Sequence, residues 1–419
     1  MMSRANKLLS IFLLTVVLFG CNKNDCLEQY ASEFYKPIYT SWEAIKDSIG
    51  SEAPRDIKAP GKMFALGSFL FINEVNEGIH VIDNSNPYDP QNIQFIRIPG
   101  CVDLAVSNNK LYADNYTDII VLDISDLNNV TEVDRVENVF SSNSLGFWFD
   151  YTADAVITGW EVIDTVYEFD CNEPMFYFDD AVAQGDLLNV PSEGAFFNAN
   201  DIKGKAGSMA RFALKGSQLY ALNDYALHIF SIDNALELDN TFELEWGVET
   251  LFPYDQYLFV GANNGMHILD ITDAVHPNWV STYSHITSCD PVVVHNDIAY
   301  VTLRSGNECQ NFTNQLEIID VSDKSNPTWL KTYEMFNPHG LGVTYDNLLF
   351  LCDGEEGLKV YDNSDYMDLK LLQHYTGIHA YDVIPYYGNL LMIGSDGFYQ
   401  YDYSNLSDIH QISYIPVVE

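Results

Sequence analysis

Basic residues are scarce in this chain: lysine and arginine number 20 against 60 aspartates and glutamates, a formal net charge of −40. No basic patch is available to neutralise phosphates, so nucleic acid is not expected as a partner. The acidity serves solubility and mutual repulsion, and it attracts cations and basic ligands. Long apolar runs are missing too. Residues 8–19 are apolar but too short to span a bilayer with ease, and no comparable stretch follows. Beyond residue 20 the chain is therefore expected to be soluble. The spacings Cys-x-x-Cys and His-x-x-x-His, which would support zinc, do not occur.

What is present begins with an address. Arg4 and Lys7 precede the apolar run, which closes on Leu18-Phe19-Gly20-Cys21. That ending resembles a bacterial lipobox, in which the cysteine is lipidated and becomes the mature N-terminus. The resemblance implies a signal peptide over residues 1–20, a lipid on Cys21, and attachment to the membrane through that anchor only. It implies the bacterial cell envelope, as an outer-membrane lipoprotein on a face the sequence does not specify. Residues 21–60 read as a tether and lead-in. Within it Ser41 is an N-cap candidate for one short helix ending near Ser48, before Pro54 and Pro60. Export permits disulfides. Six cysteines remain: Cys26, Cys101, Cys171, Cys289, Cys309 and Cys352.

From residue 61 to 419 the pattern is short strands. The cleanest unit has Val102 to Val106, a turn at Asn108-Asn109, then Lys110 to Asp114, Asp118 to Ile124 and Thr131 to Val136. Four strands in some forty residues make one blade of a β-propeller. An aspartate closing the third strand recurs as Asp83, Asp123, Ser231, Asp270, Asp320, Asp362 and Asp402, with gaps of 40, 108, 39, 50, 42 and 40. The long gap implies an insertion of about 68 residues between blades two and three, placed at residues 141–208. The expected fold is all-β, a seven-bladed propeller of four-stranded blades. The recurring aspartate reads as a turn former that accepts hydrogen bonds from the following N–H groups. Glycine begins the third strand at Gly78, Gly265, Gly357 and Gly397, where a positive φ is expected to close a tight turn.

The repeated phrases Ile79-His-Val-Ile-Asp83, Ile120-Val-Leu-Asp123, Ile318-Ile-Asp320 and Leu358-Lys-Val-Tyr-Asp362 resemble those of the LVIVD-repeat family of exported bacterial propeller proteins. The lipobox, with Ile98-Pro99-Gly100, Gly207-Ser-Met-Ala-Arg211-Phe and Cys289-Asp-Pro-Val-Val-Val294, resembles the lipoprotein branch typical of Bacteroidetes. The resemblance implies the fold and brings no settled activity. Gly-His with Trp-Asp blades, paired-glycine kelch turns and a Ser-x-Asp-x-Gly-x-Thr-Trp box are all lacking.

In a propeller the first strand of each blade lines a central channel. The loop entering that strand and the loop between the second and third strands share one face, here called the mouth. Seven residues fall there: Asp103, Arg211, Glu249, Asp290, His339, His379 and Asp382. Carboxylates with histidine suit a divalent cation, and Arg211 suits a carboxylate or sugar acid. Cys289 and Cys309 lie on the same face within reach of each other. A bridge between them would close a loop of 20 residues and contribute on the order of 3 kcal/mol. The insertion carries aromatic and acidic text, such as Phe147-Trp-Phe149 and Phe176-Tyr-Phe-Asp-Asp180, together with strand-like residues 155–163. Exposed aromatics there would stack on sugars or grip a protein.

Three function classes follow. The first is a tethered binding scaffold for a protein, glycan or small ligand. The second is a hydrolase or lyase using histidine and aspartate at the channel, although no nucleophile has an identifiable base. The third is a structural part of an envelope assembly.

Overall fold

The computed structural model describes residues 27–140, 154–170, 204–208, 210–285, 291–305 and 313–418. The chain divides into two compact units. The smaller comprises residues 1–40 and 157–186. Its described part is a two-stranded sheet of Leu27–Ser41 against Ala155–Asp170. Thr40 and Thr158 share a hydroxyl hydrogen bond of 2.7 Å there, and Lys36 pairs with Glu161 at 3.2 Å on the surface. The lead-in thus begins as a strand paired with the insertion, which the sequence pattern did not separate from a tether.

The larger unit is the propeller: seven antiparallel four-stranded meanders whose inner strands face a common channel. The blades span residues 60–97, 104–136, 212–243, 248–284, 292–334, 341–375 and 380–416. Neighbouring blades cover both faces of their second and third strands. These therefore read as continuous apolar runs, with Ile79, Val81 and Ile82 fully buried. The outer strands alternate instead, because one face meets water. In blade two the strands are Leu104–Ser107, Lys110–Asn115, Asp118–Asp123 and Thr131–Val136, within two residues of the sequence reading. Asn108 and Asn109 take φ of 50° and 60°, the mirror-image turn that matches strand twist.

The aspartate column forms turns as expected. Asp83, Asp123, Asp270, Asp320, Asp362 and Asp402 each accept the N–H two residues on, at 2.7–2.9 Å. These hydrogen bonds hold all six carboxyls below their ordinary pKa. The glycine column needs a correction. Gly78 and Gly357 do have positive φ, of 146° and 84°, but Gly265 does not. What all four share is close approach to the outer strand. A Cβ would strike the carbonyl oxygen of Ile96, Tyr283, Tyr375 or Ile415.

A second repeated device is invisible in the phrase pattern. Every outer strand carries a β-bulge at the same level, opposite the end of the third strand. A bulge twists an edge strand away from in-register pairing with another molecule, and these are the edges the ring exposes.

The ring closes through the lead-in, on both flanking blades. Gly50–Glu52 pairs with the outer strand of blade one, and Ile57 forms a parallel bridge to Val417 beside blade seven. The Val418 N–H donates to the Ile57 carbonyl at 2.8 Å. Asn84 and Gln400 exchange side-chain amide bonds of 3.0 and 2.8 Å across the same seam. The expected short helix is Trp42–Asp47, with the Ser41 hydroxyl accepting the Ala44 N–H at 3.2 Å. It buries Ile45 against Tyr116 and Val156.

One strand lies inside the channel. Gly204–Ala206, at the end of the insertion, pairs antiparallel with the inner strand Pro60–Leu66 of blade one. Gly204 opposes Leu66, next to the turn at the end of the channel away from the mouth, and the chain rises from there to Arg211. The propeller therefore holds a segment of its own chain along its axis.

Candidate functional site

The mouth is built on bulged inner strands. In blade one the pairing steps from Pro60–Glu74 to Met63–Ile72, leaving an extra residue at Gly61-Lys62. In blade four it skips Glu249, and in blade seven Tyr381. A bulge re-aims the side chain it carries, and in each blade a polar residue of the mouth sits on it.

Asp103 and Arg211, both expected here, are brought together. The Asp103 carboxylate accepts the Lys62 ammonium and the Arg211 backbone N–H (2.8 Å) on one oxygen, and the Leu104 N–H (2.7 Å) on the other. Lys62 and Asp103 are both 1% exposed. Burial lowers the lysine's pKa in spite of the aspartate beside it. The Arg211 guanidinium reaches Asp224 at 3.3 Å. Asp114 accepts the Val102 and Asp103 N–H groups at 2.9 and 2.6 Å. Burial nonetheless pushes its pKa up to about 7. The same tie recurs around the ring. Glu74 holds the Ala59 N–H at 2.8 Å, and Asp353 holds the Asn337 N–H at 2.7 Å while pairing with Lys359.

His339 and His379 also come together, with ring centroids 6.1 Å apart. Tyr381 completes a triangle at 5.6 Å from His339 and 4.9 Å from His379. His339 Nε2 meets the Asn337 amide at 3.3 Å. Its pKa is held well below the ordinary imidazole value by burial, then by the nearby charges of Arg304 and His379. Arg304 is close enough to Glu249 and Tyr381 to act on both electrostatically. The Tyr381 hydroxyl is buried, and its pKa is raised by burial and tempered by a hydrogen bond with Ser395.

Asp382 lies deeper, fully buried, where Ser208 of the channel segment donates to Oδ1 at 3.2 Å and accepts the Leu341 N–H at 2.9 Å. Oδ2 has no hydrogen-bond partner, and burial raises the carboxyl's pKa to about 7. Lower on the same segment the Lys205 ammonium donates to the Pro385 carbonyl at 2.6 Å. Burial brings its pKa down to about 7.

Asp290, the Cys289–Cys309 pair and Cys21 lie outside the described residues, as does most of the insertion. Cys101 and Cys352 are buried free thiols with pKa values raised by burial. Among the described residues no cluster of three histidine, cysteine or carboxylate side chains is arranged to hold a metal ion. A cleft of about 240 Å³ lies away from the mouth, at the closure seam between Arg55, Asn92 and Ile415.

Sequence reasoning missed Lys62, Asp114, Asp224, Arg304, Tyr381 and Ser208. A signal existed for two of them. Lys62 interrupts an apolar inner strand, and Arg304 follows the second strand of blade five where blade six has Asp353. In a chain this poor in cations both positions are conspicuous.

The chain carries LVIVD repeats. The LVIVD repeat model matches residues 101–138, 253–285 and 310–335, which fall in blades two, four and five. Comparison with curated proteins gives no match. Among solved structures, the computationally designed Ika8 protein is 11% identical, with 87% of this chain and 90% of that chain covered and a TM-score of 0.46. Hsv2 of Kluyveromyces marxianus is 7% identical, covering 86% and 100%, with a TM-score of 0.48. Hsv2 of Kluyveromyces lactis is 9% identical over 73% and 75%, with a TM-score of 0.40. Likeness at this level carries no functional argument.

Proposed function

We propose that the protein is an exported binding scaffold, tethered to the outer membrane of a bacterial envelope by a lipid on Cys21. It presents the propeller mouth to a protein, glycan or small polar ligand. The observation that carries this reading is the division of the mouth. Two of the mouth's carboxylates are committed elsewhere: Asp103 to Lys62 and two N–H groups, Asp114 to two more. What faces outward is suited to recognition. Arg304 and His379 are only partly buried, and the loops entering blades four and six expose Trp246 and Phe336 (63% and 53%). Aromatic rings rimming polar donors are the usual composition of a recognition surface. The lipobox-like segment supports export, and export permits the Cys289–Cys309 bridge, which intact mass with and without reduction would reveal.

Native mass spectrometry of protein purified from source membranes tests the reading. A co-purifying ligand that is absent from His379→Ala protein is the expected result. Protein of unliganded mass only, or a ligand chemically consumed during incubation, would sink it.

A further inference from the structure

We propose that the outer strands of blades three to six form a second interaction surface, one that fits a positively charged protein segment carrying apolar side chains. It is separate from the mouth and does not depend on what the mouth binds. On each outer strand one residue stands just before the bulge, near the end of the blade away from the mouth. In blades one, two and seven it is polar: Asn92, Glu132 and Gln411. In the four consecutive blades from three to six it is large and apolar: Leu238, Trp279, Trp329 and Leu371. These four are 47%, 42%, 56% and 53% exposed. Single exposed apolar side chains are ordinary, whereas four at one level on neighbouring blades make a patch.

The patch is continuous because each blade is tied to the next beside it. Two residues beyond the apolar position, Asn240, Ser281 and Lys331 donate to the Val275, Lys324 and Met367 carbonyls in a turn of the following blade, at 2.8, 2.6 and 3.1 Å. Both indoles are held in place. The Trp329 N–H donates to Thr332 Oγ1 at 3.0 Å, and the Trp279 ring lies 4.7 Å from the His267 ring. Tryptophans fixed in this way are the usual anchors of an interface. Charge decides the occupant. Exposed carboxylates edge the patch on every blade: Glu237 and Asp239 flank Leu238, and Asp273, Asp323 and Asp365 stand in the turns beside Trp279, Trp329 and Leu371. Hydrogen bonds from Val275 and Ser325, respectively, hold Asp273 and Asp323 below their ordinary pKa, so both are charged at neutral pH. The basic side chains nearby are engaged: Lys324 with Asp297 at 2.7 Å, His276 with Asp273 at 3.2 Å, Lys370 with Asp368 at 4.0 Å, and Lys331 on the Met367 carbonyl. An acidic rim on a chain of net charge −40 attracts a basic partner and repels a second copy or an anionic bilayer. Four side chains also fall short of the roughly 20–30 residues each side contributes to a stable dimer. A patch that runs across four blades suits a polypeptide and is too long for a small amine.

The test is calorimetric titration of the full chain with a synthetic peptide of alternating lysine and leucine and, separately, with one of alternating lysine and serine. Saturable binding of the lysine–leucine peptide is expected, with the lysine–serine peptide at least about tenfold weaker. Trp329→Ser should weaken the lysine–leucine peptide about tenfold, or 1.4 kcal/mol, and Leu371→Ser about threefold. Both variants should keep the parent's melting temperature, because both side chains are more than half exposed. Val133→Ser, which removes an exposed apolar side chain of blade two outside the patch, should leave the affinity as it was. No saturable binding, equal binding of the lysine–serine peptide, or full affinity in Trp329→Ser overturns the proposal. Dimers seen in sedimentation and lost in Trp329→Ser would overturn it too, by assigning the patch to a second copy. Attachment of Cys21→Ala protein to phosphatidylcholine vesicles, lost on adding Trp329→Ser, would overturn it in favour of a bilayer.

Discussion

The two sides of the mouth solve the same problem in different ways. Both place charged side chains on bulged or entering segments of inner strands, in near-complete burial. On blades one to three each charge meets its complement: Lys62 with Asp103, Arg211 with Asp224, Asp114 with backbone N–H groups. On blades six and seven the arrangement is mixed: Asp353 is engaged by Lys359 and two N–H groups, whereas Asp382 Oδ2 lacks a hydrogen-bond partner. Burial alone therefore does not mark a functional group. Compensation does. The paired side holds entering loops and neighbouring blades in register, and the open side keeps bonding capacity for something that arrives later.

The largest effect should come from breaking the paired side. Asp103→Ala strands the Lys62 ammonium in the interior and frees three hydrogen bonds. A loss of about 3–5 kcal/mol is expected in denaturant unfolding. Asp114→Ala leaves two buried N–H groups unsatisfied and should cost about 2–3 kcal/mol by the same measurement.

The pH dependence sharpens the comparison further. Asp114 and Asp382 have folded-state pKa values raised to about 7 from the ordinary 3.8. Each keeps a proton in the fold that the unfolded chain has lost, so its contribution is complete below about pH 4 and disappears as pH rises through 7. Lys205 runs the other way, its pKa lowered to about 7. The unfolded chain holds the extra proton between pH 7 and 10.5, so its penalty fades with rising pH there. The six turn aspartates lose their contribution in acid, as pH falls through their depressed values. Between pH 5 and 7 these two carboxyls pull the melting temperature down while His228, His267, His295 and His339, whose pKa values burial lowers, pull it up, and Asp382→Asn should shift the slope upward. An unchanged slope in Asp382→Asn would show that its carboxyl is not the titrating group. The smallest effect on stability is expected for Trp246→Ala at the exposed rim, within about 0.5 kcal/mol of the parent.

Much of the fold was legible in the chain because it repeats. Seven third strands fix the blade number, six of them closed by an aspartate that makes the same Asx turn, and Ser41 announced its helix. The bulges were not legible. They arise where the third and outer strands slip by one residue; the skipped residue is aliphatic in six blades, as at Val280, and Asp239 in blade three, and an aliphatic residue there reads as an ordinary strand position. The channel segment was equally hidden, because Gly204–Ala206 pairs with a strand some 140 positions earlier. At the mouth, topology put Asp103, Arg211, His339, His379 and Asp382 on one face. It did not tell which were already engaged, because their partners, Lys62, Asp224 and Ser208, come from other strands, loops or the insertion. Arg211, expected to meet a ligand, meets Asp224 instead.

The division between a structural and a recognising half is tested most directly by one paired experiment on Asp103→Asn and His379→Ala. Melting temperature and the mass of the co-purifying ligand are measured for both. Asp103→Asn should melt several degrees lower, at about 2–4 °C per kcal/mol for a chain of a few hundred residues, and keep the ligand. His379→Ala should melt close to the parent and lose the ligand. If stability and ligand are lost together in both variants, the two halves of the mouth are one structural network and the division is wrong.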